Sequence, residues 1–284
     1  MRLRDRFVAV WLALLVASSS AHAQRVEMAR FAGTARQSVA QVTTDVWVAV
    51  GFAAGTAALS PLDRALAHVL QDSTRQENVF LQRTATGLRF LGFPGSAIIG
   101  TSIYALGLAL DDRTVASFGL HGTEAIAASF GAVWIGKNLL GRARPYNDIE
   151  NPFNFKLARG FEGDRYRSFP SGHSAAAFAV AAALTAEAKI IWPEAHPYAG
   201  PILYTGATMV GISRMYNNKH WASDVAAGAG VGVLTGWALI RYLYSHDTQL
   251  DKWLLPGEDA KPAPQASANR NGPPLMFVWS IPLR

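Results

Sequence analysis

At 284 residues the chain has room for one large domain or two small ones, and for a substantial core. Half of its residues are apolar and only 16% are charged, which is apolar-rich and charge-poor beside an ordinary soluble domain, so a membrane belongs in the reading. Cysteine is absent, which excludes disulfides, thiolate metal sites and a cysteine nucleophile; the formal charge of +6 is a modest excess whose placement matters more than its size.

The first residues, MRLRDRFVAVWLALLVASSSAHAQ, combine basic Arg2, Arg4 and Arg6 with an apolar run over 7–17 and the small-x-small triplet Ala21-His22-Ala23. That order predicts a secretory signal over 1–23, cleaved so that the working chain begins near Gln24. Residues 24–45 are polar and rich in Ala, Gln and Thr, and predict a short surface helix. Six apolar stretches follow, at about 46–59, 91–110, 115–135, 174–186, 202–212 and 225–244. Each is dense in Ala, Gly and Leu without period-two alternation, so all six are predicted as helices, with Pro61, Pro94, Pro193 and Pro201 at or near boundaries. Only the second, third and sixth approach the roughly 17–25 residues that cross a bilayer; the other three equally suit a globular bundle. Gly228, Gly232 and Gly236 give the last helix a face for close helix contact. Residues 256–274 read as a flexible Pro/Ala/Asn-rich linker, and 275–284 as an apolar tail without a functional reading. The domain expectation is a signal at 1–23, an N-terminal helical region at 24–89, a catalytic helical domain at 90–250, and linker plus tail at 251–284.

Three short blocks concentrate cations, histidines and helix-start signals at helix ends. In KNLLGRARPY, Lys137 closes the third helix, and Arg142 and Arg144 follow Gly141 before Pro145 stops helical continuation; cations there complement the helix dipole and can also reach one anion. In FPSGHSAAAFAVAAAL, Ser171, Gly172 and His173 precede or begin an Ala-rich helix, where free backbone N–H groups favour an anion. In SRMYNNKHWASD, a helix starting around 219–221 sets His220 and Asp224 four residues apart on one face, so that the carboxylate can fix the imidazole tautomer. Arg214 adds a planar fork suited to phosphate oxygens. Together these supply cations to neutralise phosphoryl oxygens, a nucleophile and a proton donor, the set for metal-free phosphoryl transfer. No HExxH or carboxylate cluster is visible in the sequence, and neighbouring cations oppose a metal at these blocks.

Lys137-x6-Arg144-Pro145, then Pro170-Ser171-Gly172-His173, then Ser213-Arg214-x5-His220-x3-Asp224 resembles the three-part signature of the type 2 phosphatidic acid phosphatase (PAP2) superfamily. That family includes lipid phosphatases, bacterial class A acid phosphatases and vanadium haloperoxidases. With its helices the resemblance covers about residues 90–245. It implies an all-α, PAP2-type bundle of about six core helices, possible membrane embedding, and a metal-independent phosphatase. His220 would attack phosphorus to form a phosphohistidine, Asp224 would hold it, and His173 would protonate the leaving alkoxide. Lys137, Arg144, Ser171, Gly172 and Arg214 would bind phosphate oxygens. Arg142, Asn218 and Lys219 lie outside the signature and count only as possible substrate contacts. Expected substrates are lipid phosphates or diphosphates of the phosphatidic acid, phosphatidylglycerol phosphate or undecaprenyl diphosphate type. Selectivity is expected in residues 61–93 and 146–169.

The resemblance leaves a soluble periplasmic non-specific acid phosphatase as the alternative and a vanadium haloperoxidase as a weaker one. Vanadate would then be inhibitor or cofactor; no other cofactor and no nucleic-acid partner is implied. An anion-binding scaffold with a relic site is the non-enzymatic reading. The expected location is a bacterial-type cell envelope, at the inner membrane with the site facing the periplasm. The mean hydropathy of +0.12 leans toward the soluble alternative. An exported N-terminus and six spanning helices would instead put the first block on the cytoplasmic side.

Overall fold

The computed structural model describes residues 43–246 and 248–255. The signal-type segment 1–23, all but the end of the polar segment 24–45, the linker 256–274 and the tail 275–284 fall outside them. Helix α1 is residues 43–59. A 3-10 turn at Ser60–Leu62, entered through Pro61, leads into α2 (Asp63–Gln71), followed by α3 (Ser73–Gln76) and α4 (Val79–Phe90). The five residues Leu91–Gly95 form a π turn around Pro94 that joins α4 to α5 (Ser96–Ala109). Phe93 is extended within it (φ −174°, ψ 135°), so the chain kinks just before Pro94, which lacks the N–H that an unbroken helix would need. The second apolar stretch therefore follows a helix that starts at Val79, and much of the 61–93 segment, expected to carry selectivity, is helical.

Then come α6 (Arg113–Leu140), α7 (Gly172–Ile191), α8 (His196–Tyr216), α9 (Ala222–Ser245) and the short α10 (Gln249–Leu254). Strands are absent among the described residues, as the aperiodic Ala/Gly/Leu stretches predict. Local chemistry sets the ends of α6. The Asp112 carboxylate accepts from Thr114 N and Val115 N at 2.9 and 3.0 Å, a cap worth about 1 kcal/mol. Gly141 ends the helix at φ +53°, where its hydrogen side chain escapes the Cβ clash of left-handed backbone.

The glycine stripe of α9 has the predicted use. A Cβ at Gly228 would strike Ser171 O, one at Gly232 would strike Ala175 O, and one at Gly236 would lie 2.5 Å from Ala179 O. The missing side chains let α9 run against the backbone of α7, with Ala125, Ala179, Ala183, Ile240 and Leu243 closing the core beside it. Interaxial approach of this kind is the device by which small residues pack helices that have no large apolar side chains to interdigitate.

The helices run end to end between two faces. Phe52 of α1 lies on Gly230 and Asp63 on Ser223, so α1 runs antiparallel to α9. The ends of α6 and α8 and the starts of α7 and α9 meet at one face; His121, Glu187 and Tyr244 mark the other. Among the described residues, four helical runs are long and apolar enough to cross a membrane by length and composition: Thr43–Gln71, Val79–Ala109, Gly172–Ile191 and Ala222–Ser245. The third predicted stretch, α6, is not among them although it is 28 residues long. The fourth is, because the helix runs from Gly172 to Ile191. Outward apolar side chains are exposed on α5 (Ile98, Ile99, Leu106) and also on α6 (Trp134, Ile135) and α8 (Ile202, Ile212), the pattern of a surface that faces lipid.

Candidate active site

The blocks at the ends of α6, α7, α8 and α9 meet. Ser171 caps α7 in extended backbone, its Oγ accepting from Ser174 N at 3.4 Å and from Ser174 Oγ at 2.9 Å. Its own N–H donates to Asp224 O at 2.9 Å, which joins the second block to the third. Gly172 faces the first block: a Cβ there would sit 3.5 Å from Lys137 Cε. Lys137 Nζ donates to Arg167 O at 2.6 Å. Lys219 N donates to Arg214 O at 3.1 Å, so the chain turns at the end of α8 to carry His220 back under the cations.

His220 is buried, 3% exposed. Its Nε2 lies 3.5 Å from Arg144 Nη1 and its Nδ1 lies 3.6 Å from Asp224 Oδ2. The second distance is an ion-pair contact longer than a hydrogen bond, and the route to it differs from expectation. Helix α9 begins at Ala222, so His220 lies outside it and the pair does not share a helix face. Asp224 is the third residue of α9, where its Oδ2 accepts from Trp221 N at 2.9 Å. A carboxylate turned back to cap its own helix meets the residue just before that helix.

Burial, followed by the charges of Lys137, Arg144, Arg214 and His173, holds the His220 pKa well below the ordinary 6.5. Both causes disfavour an imidazolium, so at neutral pH the ring is neutral with a lone pair available. Arg214 is buried with Nε and Nη1 unpartnered by protein. Burial and then the Arg144 and Arg89 cations lower its pKa to about 10, which leaves it charged at neutral pH. His173 is the second residue of α7, and a Cβ on Gly92 of the π turn would lie 3.4 Å from its ring Cδ2. Arg144 is held from behind: Nε donates to Asp164 O at 2.8 Å, Nη1 to Lys219 O at 3.0 Å and Nη2 to Asp164 Oδ1 at 2.6 Å.

The structure corrects the reading of Arg142. Rather than contacting substrate, it is 1% exposed and sits behind the histidine. Its Nη1 donates to Asp224 Oδ1 at 2.5 Å and to Ser223 Oγ at 2.8 Å, its Nη2 to Asp63 Oδ2 at 2.7 Å, and its Nε to Pro152 O at 2.9 Å. Ser168 Oγ donates to Asp224 Oδ2 at 2.5 Å. Asp63 in turn accepts from Ser223 N at 2.9 Å and from Ser223 Oγ. Every oxygen of Asp224 is thus engaged by a fixed donor. Asn218 takes left-handed backbone at φ +55°, and Lys219 Nζ lies 4.4 Å over the Tyr146 ring.

Sequence reasoning missed Asp63, Ser168, Ser223 and Arg89. Spacing gave no signal for the inward turn of Arg142, since residues two apart in an extended chain share a face. A cavity of about 510 Å³, lined by Phe52, Phe153, Phe155, Phe169 and Leu234, touches Arg142, Pro170 and Ser223 but none of the residues predicted to bind or attack phosphate.

The family model described as the PAP2 superfamily matches residues 119–247, the interval that holds all three blocks. The Lipid A 1-phosphatase of Porphyromonas gingivalis is 40% identical over 106 residues, 37% of this chain and 19% of that protein. The chain therefore matches about a fifth of the length of that curated relative. Among solved structures, the first transmembrane PAP2-type phosphatidylglycerolphosphate phosphatase from Bacillus subtilis superposes with a TM-score of 0.52 at 22% identity, covering 72% of this chain and 98% of that one. Aquifex aeolicus LpxE gives 0.46 at 23% identity, over 64% and 96%. The first of these likenesses is one of fold.

Proposed function

We propose that the chain, whose residues 119–247 match the PAP2 superfamily model, is a membrane phosphatase. It removes phosphate from lipid-linked monoesters or diphosphates through a phosphohistidine. The observation that carries this reading is the buried His220 between an immobilised Asp224 and the side chains of Lys137, Arg144 and Arg214. Nδ1–H faces Asp224, so the Nε2 lone pair attacks phosphorus. The P–O bond to the leaving group breaks, and His173 donates its proton to that oxygen. Water then attacks the phosphohistidine, returning its proton to His173 and releasing inorganic phosphate. Guanidinium and ammonium groups offset charge on the equatorial oxygens. The name of the Porphyromonas gingivalis relative, a lipid A 1-phosphatase, and the apolar helices favour a lipid-linked substrate over a soluble one.

The test is phosphate release from a panel of lipid monophosphates, lipid diphosphates and soluble esters in detergent, with EDTA present. Release from lipid substrates at least about tenfold faster than from soluble esters, one 1.4 kcal/mol step in kcat/KM, is expected. Preference for soluble esters would favour the acid-phosphatase alternative, and loss of activity to EDTA, without loss of fold, would overturn metal independence.

We propose further that the site faces the periplasm. The antiparallel run of α1 against α9 ties this to the other end of the molecule. A periplasmic site puts the start of a spanning α1 in the cytoplasm, whereas a cleaved export signal puts it in the periplasm and the site in the cytoplasm. The chain has no cysteine, so single cysteines report cleanly. Glu162→Cys at the site face should react with an impermeant maleimide on intact cells with the outer membrane permeabilised, and Glu194→Cys at the far face should be protected. The reverse pattern would sink the periplasmic assignment and support the export signal.

A further inference from the structure

A second buried polar cluster lies at the far end of the bundle, about 24 Å along α6 from the phosphate-type site, taking 16 residues between His121 and Lys137 at 1.5 Å each. It draws His121 and Glu124 from α6, Glu187 from α7, Tyr244 from α9 and Asp251 from α10. His121 and Glu187 are 3% and 0% exposed, and Asp251 is 1% exposed. Nothing in the phosphatase mechanism uses these groups, and buried ionisable side chains are costly unless something pairs with them.

From this geometry we infer that His121, Glu124 and Asp251 form a binding site for one divalent transition-metal ion of the Zn²⁺ class. One donor atom from each residue lies within 4.8 Å of the other two. An ion among them requires these atoms to draw in by less than about 1 Å to reach metal–ligand distances near 2.0–2.2 Å.

Two further observations point to a ligand rather than to a closed salt bridge. First, His121 Nδ1 lies 2.7 Å from Glu187 Oε1, which also accepts from Tyr244 OH at 3.1 Å. An N–H donated there fixes the tautomer and leaves the Nε2 lone pair turned inward, the carboxylate–histidine arrangement that orients metal-bound imidazoles. Nε2 is buried without a hydrogen-bond partner, 3.8 Å from Asp251 Oδ1, and Glu124 Oε2 is likewise buried and unpartnered. Second, a cavity of about 10 Å³ opens beside His121, Asp251 and Tyr244, with Arg113, Thr114, Ser117 and Leu255 as its other walls, room for a single ion or water. A proton on Nε2 would pair with Asp251 alone and leave Glu124 Oε2 unsatisfied, whereas a dication engages all three and offsets two of three clustered carboxylates. Imidazole with carboxylates suits Zn²⁺ and its neighbours better than Mg²⁺ or Ca²⁺. The ion would clamp α10, whose Leu254 carbonyl already accepts from Tyr104 OH at 2.7 Å, onto α6.

The test uses the full chain in detergent, purified without chelator and without a polyhistidine tag. Metal analysis should find about one equivalent of Zn²⁺. Stripping with EDTA should lower the Tm by several degrees, and Zn²⁺ should restore it where Mg²⁺ does not. His121→Gln and Glu124→Gln should each lose the bound metal and the Tm response, with phosphate release at 25 °C kept within about threefold. Should His121→Gln fail to fold, metal content of Glu124→Gln, a substitution at a half-buried position, decides. A Tm indifferent to Zn²⁺, or one equivalent retained in Glu124→Gln, would overturn the site. So would metal lost from His173→Gln or His220→Gln instead, which would count against the phosphatase mechanism as well. Because metal content is read directly, the result stands apart from which phosphate ester is hydrolysed.

Discussion

Replacing His220 by alanine should reduce phosphate release by about 10⁴-fold or more, roughly 5 kcal/mol of transition-state stabilisation, with the helical fold kept. The size follows from the role: without a nucleophile only direct attack by water remains, and the cations can assist but not replace the covalent step. Fold should survive because His220 Nδ1 is not hydrogen-bonded and His220 lies outside α9. His173→Ala should differ in kind. A general acid contributes about 10²–10⁴-fold, and only when the leaving oxygen is basic. With an aryl phosphate whose phenolate leaves unaided, most of the His173→Ala defect should disappear while the His220→Ala defect persists. Undiminished lipid phosphatase activity in both variants would remove the mechanism, and equal defects on alkyl and aryl esters would remove the division of labour between the histidines.

The second large effect is expected at Asp63, a residue on α2 well before the first signature block. Asp63→Ala should destabilise the protein by about 3–5 kcal/mol, because it leaves Arg142 as a buried cation short of one anionic partner. It also removes the acceptor for Ser223 N, an N–H at the start of α9. Activity should fall with it. Arg142 holds Asp224 and Asp224 faces His220, so kcat should drop by about tenfold or more while KM changes little, since Asp63 touches no substrate-facing group. Asp63→Asn, which keeps an oxygen for Ser223 N, should recover part of the stability. A coupling energy above about 1 kcal/mol between Asp63 and Arg142 in a double-mutant cycle would show that they act as one unit. Loss of under 1 kcal/mol for Asp63→Ala, with kcat unchanged, would reduce the network to passive packing.

These two predictions sit at opposite ends of what could be read from the chain. His220, His173, Asp224 and the three cations lie in short blocks whose residue types announce themselves against Ala-rich surroundings. Their chemistry needs little besides proximity, and helix ends supply it. Arg142 was visible but misassigned, because spacing cannot say which side of the chain a side chain leaves from. The structure turns it inward, between two carboxylates, and Arg144 outward to His220. Asp63 carried no local signal at all. It becomes part of the site because α1 runs antiparallel to α9 and delivers the start of α2 to Ser223, 160 residues away in sequence.

By itself, then, the sequence determined that the described part is helical, where most helices lie, that α9 packs through a glycine face, and which polar residues stand in the three blocks at the helix ends. Each of these depends on composition or on neighbours within a few residues. Only the tertiary structure decided the support of Asp224 by Arg142, Asp63 and Ser168, the placement of His220 before its helix rather than on it, and the gathering of His121, Glu124 and Asp251 at the far end of the bundle. It also tied the face of the site to the start of α1. The physical reason is the same in each case: a buried charge takes its partner from whatever element packs against it, and packing across a bundle leaves no periodic trace in any one segment of the chain.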